Sequence, residues 1–200
     1  MEMEFFKKKF GHGDLYRSLV FTIRSIKYIK MNRKENLISG QFQERIMLAV
    51  TQVNGCEVCS YAHTKIALEE GMDPEEISSI LIGNLENSPK EEAVGILFAQ
   101  HYSDNNQMAT KETWQRLDQE YGQDRALVIL AYTRMITFGN IYGMAISALR
   151  TRFKGQPSGK TSLFYELSMI ISIIPLLPGA ALQALFDNLT NKSNLPYVEK

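Results

Sequence analysis

Helix punctuation is the feature that most restricts what this chain can fold into. Ser39 stands ahead of an apolar-periodic run that reaches Val53 and stops at Asn54-Gly55, where glycine tolerates the left-handed exit from a helix. Asp73-Pro74-Glu75-Glu76 places an acceptor at the cap, proline at the first helical position and glutamate at the third. Ser88-Pro89-Lys90-Glu91 repeats that order. These boundaries predict helices from Ser39 to Val53, from about Cys56 to Glu70 with an exit at Gly71, near 74–86 and near 89–103. Asp14 can cap a helix through Met31, Thr110 one that ends at Gly122, and Asp124 a long one through about Arg152. In the last, Leu127, Leu130, Ala131, Met135 and Phe138 recur at helical spacing. Asn54-Gly55 is also a hairpin signal, but its flanks repeat with helical periodicity, and no stretch alternates with period two for long. The fold class is all-α, with 154–160 the one clear loop beyond the turns.

Two hundred residues, 44% of them hydrophobic, suffice for one sizeable core, so a single domain over 1–200 is expected. Lysine plus arginine equals aspartate plus glutamate at 22 each, and no global field recruits nucleic acid. Locally, residues 1–36 hold nine basic and four acidic side chains, which leaves this arm at +5 and the remainder at −5. The run Phe5-Phe6-Lys7-Lys8-Lys9-Phe10 could meet an anionic partner, but is read as a solvated basic face. Met1-Glu2-Met3-Glu4 is acidic where a secretory signal is basic, so a reducing cytoplasm is the expected location. The segment 163–186 is apolar over 24 residues and follows Arg150, Arg152, Lys154 and Lys160, a length and flank that suit a membrane span. Pro175 and Pro178 argue instead for two short buried helices broken at Pro175-Leu176-Leu177-Pro178, suited to a subunit interface.

The chemistry is concentrated in Val53-Asn54-Gly55-Cys56-Glu57-Val58-Cys59-Ser60-Tyr61-Ala62-His63, which contains the chain's only two cysteines. One C-x-x-C pair makes a poor structural framework but a good dithiol, because it closes into a small ring and reopens without unfolding anything. On a helix that starts at Cys56, the side chains of Cys56, Cys59 and His63 fall at i, i+3 and i+7 along one face. A fold-back at Asn54-Gly55 can bring Glu44 from the preceding helix alongside. An acid, a base and two thiols in one cleft are what thiolate formation and peroxide protonation require. The same four side chains could instead hold zinc, although a second C-x-x-C is missing and three ligands would come from one short helix. His12 and His101 are assigned no role, and no cofactor is implied.

The spacing of Glu44, Cys56, Cys59 and His63 resembles the alkylhydroperoxidase D-like branch of the carboxymuconolactone decarboxylase superfamily. Glu44-Arg45-Ile46, Leu48-Ala49-Val50 and Ala62-His63-Thr64 look similar too, and the likeness extends over roughly residues 37–150. The resemblance implies a helical bundle, here with extra N- and C-terminal helices, assembled into homo-oligomers that are trimers or multiples of them. It also implies a dithiol that reduces alkyl hydroperoxides and is regenerated by a dihydrolipoyl or other dithiol donor. By the same resemblance Cys59 is the attacking thiol, Cys56 resolves it, and Glu44 with His63 relays protons. The decarboxylase branch lacks the cysteine pair, which argues against muconolactone chemistry. Helix-dipole physics pulls the other way on the thiols, since it favours Cys56 at the first turn as the more acidic, whereas His63 at i+4 favours Cys59.

Overall fold

The computed structural model describes residues 5–197. The acidic opening Met1–Glu4, weighed above against a secretory signal, lies outside the described residues. These form eight α-helices and no strand: α1 His12–Glu35, α2 Gly40–Asn54, α3 Glu57–Glu69, α4 Pro74–Leu81, α5 Ala93–Asp104, α6 Lys111–Tyr121, α7 Gln123–Phe153 and α8 Leu163–Leu189. One 3-10 turn, Lys90–Glu92, leads into α5.

Most boundaries follow from the expected caps. The Ser39 hydroxyl accepts the Phe42 N–H at 3.0 Å, Thr110 accepts that of Thr113 at 3.2 Å, and Asp73 accepts that of Glu75 at 2.7 Å. Three boundaries differ. α1 begins at His12, because Asp14 is the third helical residue and its carboxylate reaches back to the Gly11 N–H at 2.9 Å; the helix runs on to Glu35 and closes at Asn36. α4 stops at Leu81, where the Ile82 and Gly83 N–H groups turn to the Ser79 and Ile80 carbonyls and Gly83, at φ 86°, leads the chain out, and at the other end Glu76 does not fold back on its cap. It instead takes both ends of the buried Arg45 guanidinium at 2.7 and 3.0 Å. Ser88 makes no cap, its buried hydroxyl being without a partner, and Glu92 turns to Arg45 at 2.9 Å; α5 therefore opens four residues later than expected. At the first of these starts, a long-range ion pair takes the Glu76 carboxylate that a local capping box would have used.

α7 is the central helix, packed against α1, α2, α3, α5, α6 and α8. Its residues Ile129, Leu130 and Ile136 meet Phe42, Ile46 and Leu48 of α2 in the main core. α1 lies across α7 and α8, so the N- and C-terminal helices are built into the bundle.

α8 departs most from expectation. It is one continuous helix through Pro175 and Pro178, and only five of its residues are buried: Glu166, Met169, Ala180, Ala184 and Asp187. Each proline costs one internal hydrogen bond and strains the turn before it. The carbonyls released, of Ile171 and Ile174, belong to exposed residues of the helix, where solvent can satisfy them. Ala180 and Ala184 pack on Leu19 and Val20 of α1. Arg152 holds Glu166 through two bonds of 2.8 Å near the start of the helix, and Asp187 faces Arg24 near its end. The outer face is bare, with Phe164 82% and Ile174 73% exposed. By length and composition α8 is able to cross a membrane, with mean hydropathy 2.0 in its most apolar window, only 17% of which is buried.

The Arg152 hydrogen bonds hold the buried Glu166 carboxyl below its usual range against the opposing effect of burial. A depressed folded pKa gives stability that is fully present above the unfolded value of about 4.3 and lost as pH falls through the folded value. Urea unfolding between about pH 6 and pH 3 should therefore lose stability more gently in Glu166→Gln than in wild type. Identical acid slopes would remove Glu166 as the source.

Candidate active site

The α2–α3 corner is closed by Gly55, whose φ of 75° and N–H bond to the Thr51 carbonyl at 2.8 Å end α2 in the left-handed conformation. Cys56 then serves as the cap of α3, its sulfur accepting the Cys59 N–H at 3.3 Å. Cys56 and Cys59 are joined as a disulfide with a Cα–Cα distance of 5.3 Å. One turn beyond Cys59, the His63 Nδ1 lies 2.8 Å from the Glu44 carboxylate of α2. The corner thus brings together all four residues singled out by spacing, as two directly bonded pairs: Cys56 with Cys59, and Glu44 with His63.

That pairing bears on the zinc alternative. Among the described residues no three of His, Cys, Asp and Glu converge on a position able to hold a metal ion. The two sulfurs are bonded to each other and the carboxylate to the imidazole, which is not the four-donor cage that a structural zinc needs.

Two parts of the site come from far along the chain. The first is α7. The Gly139 carbonyl lies 3.7 Å from the Cys59 sulfur, and a Cβ at Gly143 would meet the Cys59 and Cys56 sulfurs at 2.9 and 3.1 Å. No larger residue fits at Gly143 without moving the disulfide. Next to it, Asn140 receives the Thr51 hydroxyl at 3.1 Å and fixes α7 to α2. Gly139 and Gly143, one turn apart inside a long helix, were the available signal in the sequence, since glycine in a helix interior is unfavourable without a packing reason.

The second part is the N-terminal arm, where Lys7 and Lys9 are exposed as expected of a solvated basic face but the backbone and phenylalanines are docked on the bundle. The Phe6 N–H donates to the Gly55 carbonyl at 2.8 Å, and the Lys160 ammonium donates to the Phe5 and Phe6 carbonyls at 3.3 Å each. Lys7 reaches the Gln52 carbonyl, Lys8 pairs with Asp104 at 3.2 Å, and Lys9 lies over the Tyr165 ring. Phe6 and Phe10 join the apolar cluster that encloses both cysteines. Beneath this strap Cys56 is 0% exposed, whereas Cys59 retains 8%.

An all-helical bundle with a disulfide-forming cysteine pair at a helix corner is thus the class defined by fold and site together. Residues 28–86, which contain all four site residues, match the carboxymuconolactone decarboxylase family model. Over that segment the chain is similar to a superfamily that includes the alkylhydroperoxidase D-like proteins and whose members are often enzymes. No curated protein and no solved structure matches the chain.

Proposed function

We propose that this protein is a thiol-dependent peroxidase that reduces alkyl hydroperoxides through Cys59. The observation that carries the reading is the bonded Glu44–His63 pair one helical turn from a cysteine whose partner is within disulfide reach. In the proposed cycle the Cys59 thiolate attacks the outer oxygen of R–O–OH. The O–O bond breaks, the departing alkoxide takes a proton relayed by His63 and Glu44, and Cys59 becomes a sulfenic acid. The Cys56 sulfur then attacks Cys59, the hydroxyl leaves as water with the Cys56 proton, and the disulfide forms. A dithiol donor, of dihydrolipoyl or another type, supplies the two electrons that reopen it.

The exposure of the two sulfurs supports this division of labour. Cys59 retains 8% exposure, whereas Cys56 has none and follows the Gly55 to which Phe6 is bonded, which suits Cys59 as the thiol a peroxide reaches first. The helix-start position of Cys56 then suits the resolving step, because the Cys59 N–H stabilises its thiolate.

Glu44→Gln should slow oxidation of the reduced protein by about a hundredfold and alter its pH profile, while the fold and both thiols are retained. Stopped-flow oxidation with cumene hydroperoxide across pH provides the check. Wild-type rates in this variant would take Glu44 out of the mechanism.

Assembly into homo-oligomers belongs to the same proposal, with the bare face of α8 covered by a second copy of the chain. Its outer side chains expose on the order of 1,000 Å² of apolar surface, against roughly 300–600 Å² for the largest patch on a typical monomer and about 800 Å² per partner in a stable interface. Phe164, Leu167, Ile171 and Ile174 follow the alternating three- and four-residue spacing of a helix–helix seam. The ion pairs of Glu166 and Asp187 tie the opposite face of α8 to the bundle, which favours a protein partner over lipid on all sides. Light scattering should give an oligomer, a trimer or a multiple of it by the family resemblance, and Ile171→Asp together with Ile174→Asp should dissociate it. A monomer at micromolar concentration, or flotation of the wild type with lipid vesicles, would overturn this part.

A further inference from the structure

Three arginines among the described residues lie beside carboxylates deep in or at the edge of the bundle, and one of them is held differently from the other two. Arg45 grips Glu76 at 2.7 and 3.0 Å, and Arg152 grips Glu166 at 2.8 Å twice. Such short paired contacts are the usual form of a guanidinium–carboxylate bond. Arg24, only 4% exposed, has no such grip. Its Nη1 lies 3.5 Å from Asp187 and 3.3 Å from the Ser193 carbonyl, and its Nε lies 3.5 Å from the Asn188 side chain. These are marginal hydrogen bonds. The one close contact of this guanidinium is with the Lys192 carbonyl.

The surroundings add positive charge. Arg134, 1% exposed, meets no carboxylate; it donates to Ser25 and to Asn194 of the C-terminal segment, and its Nε has no partner. The Lys192 ammonium lies 3.4 Å from Asp187 as well. Among the described residues, Arg24 and the exposed Lys192 therefore share the single carboxylate of Asp187, and the buried Arg134 guanidinium adds positive charge beside Arg24, a balance costly for a buried cation. Beside them is a cavity of about 360 Å³ into which Arg24, Asp187 and Lys192 open. Its remaining wall is largely apolar or aromatic, with Val20, Phe21, Met108 and Leu195 the main contributors.

We propose that this cavity between α1, the end of α8 and the C-terminal segment 192–197 is a binding site for a medium-chain carboxylate. The ligand's head would take the loosely held face of Arg24, offering it a carboxylate at closer range than Asp187 does, and its hydrocarbon tail would lie against Val20, Phe21, Met108 and Leu195. The volume is at the small end for ligand sites, which suits a chain of roughly eight carbons. The site shares no residue with the cysteine pair and stands whether or not the protein reduces peroxides.

Octanoate is the probe, with 1-octanol as its uncharged counterpart, and both are titrated by calorimetry into the full chain. One octanoate per chain should bind, at least tenfold more tightly than 1-octanol, and raise the unfolding temperature. Arg24→Met should weaken octanoate at least tenfold and leave 1-octanol unchanged. Leu195→Trp, which fills the apolar end and leaves every charge in place, should weaken both ligands; it decides the matter if Arg24→Met does not fold. Equal affinity for the two ligands in wild type, no binding of octanoate, or undiminished octanoate binding to Leu195→Trp would overturn the proposal.

Discussion

The close approach of α7 to the α2–α3 corner is the contact on which the site depends. Gly143 lets both sulfurs lie against the helix backbone, where even a methyl group would collide with them. Asn140 is tied to Thr51 on the same stretch, so α7 and α2 hold the corner between them. Given that seat, Gly55 turns the chain, Cys56 caps α3, and His63 comes around one turn later to meet Glu44. The disulfide-forming pair is thus mounted on helices, with the strap from the N-terminal arm laid beside it.

Charge placement separates the two halves of the molecule. Around α2, Arg45 is matched by Glu76 and Glu92, and the polar groups lock α4 and the 3-10 turn to the core. Around the end of α8, cations outnumber carboxylates among the described residues and the contacts are long. The same chain therefore shows what a satisfied buried arginine looks like and what an under-satisfied one looks like. The contrast is the physical ground for treating the second as a place where an anion belongs.

Much of this was legible in the sequence where the determining interactions are local. Ser39, Thr110 and Gly55 act within one turn of themselves, so the limits of α2 and α6 follow directly, and the four site residues fall on two helices joined by one corner. Local rules failed where a distant partner competed. Glu76 gives up the expected capping box, and Glu92 helps fix the 3-10 turn that stands where α5 was expected to begin, because Arg45, 31 and 47 residues away, binds them more strongly than a backbone N–H would. The break expected at Pro175 and Pro178 is absent, because α8 is anchored near both ends and the freed carbonyls lie on exposed residues. The strap and the Gly143 seat were invisible because they join positions 49 and more than 80 residues apart, for which the sequence offers only unusual glycines and a phenylalanine-rich arm.

The central claim is that Cys59 attacks and Cys56 resolves, and the most direct test is to trap the intermediate. Reduced Cys56→Ser and Cys59→Ser, each given one equivalent of cumene hydroperoxide and then a sulfenic-acid probe, are compared by peptide mass spectrometry. Labelling at Cys59 in the Cys56→Ser protein, with none in Cys59→Ser and loss of turnover in both, is the predicted result. Labelling confined to Cys56 in the Cys59→Ser protein would reverse the roles, and peroxide consumption that survives loss of Cys59 would contradict the mechanism outright.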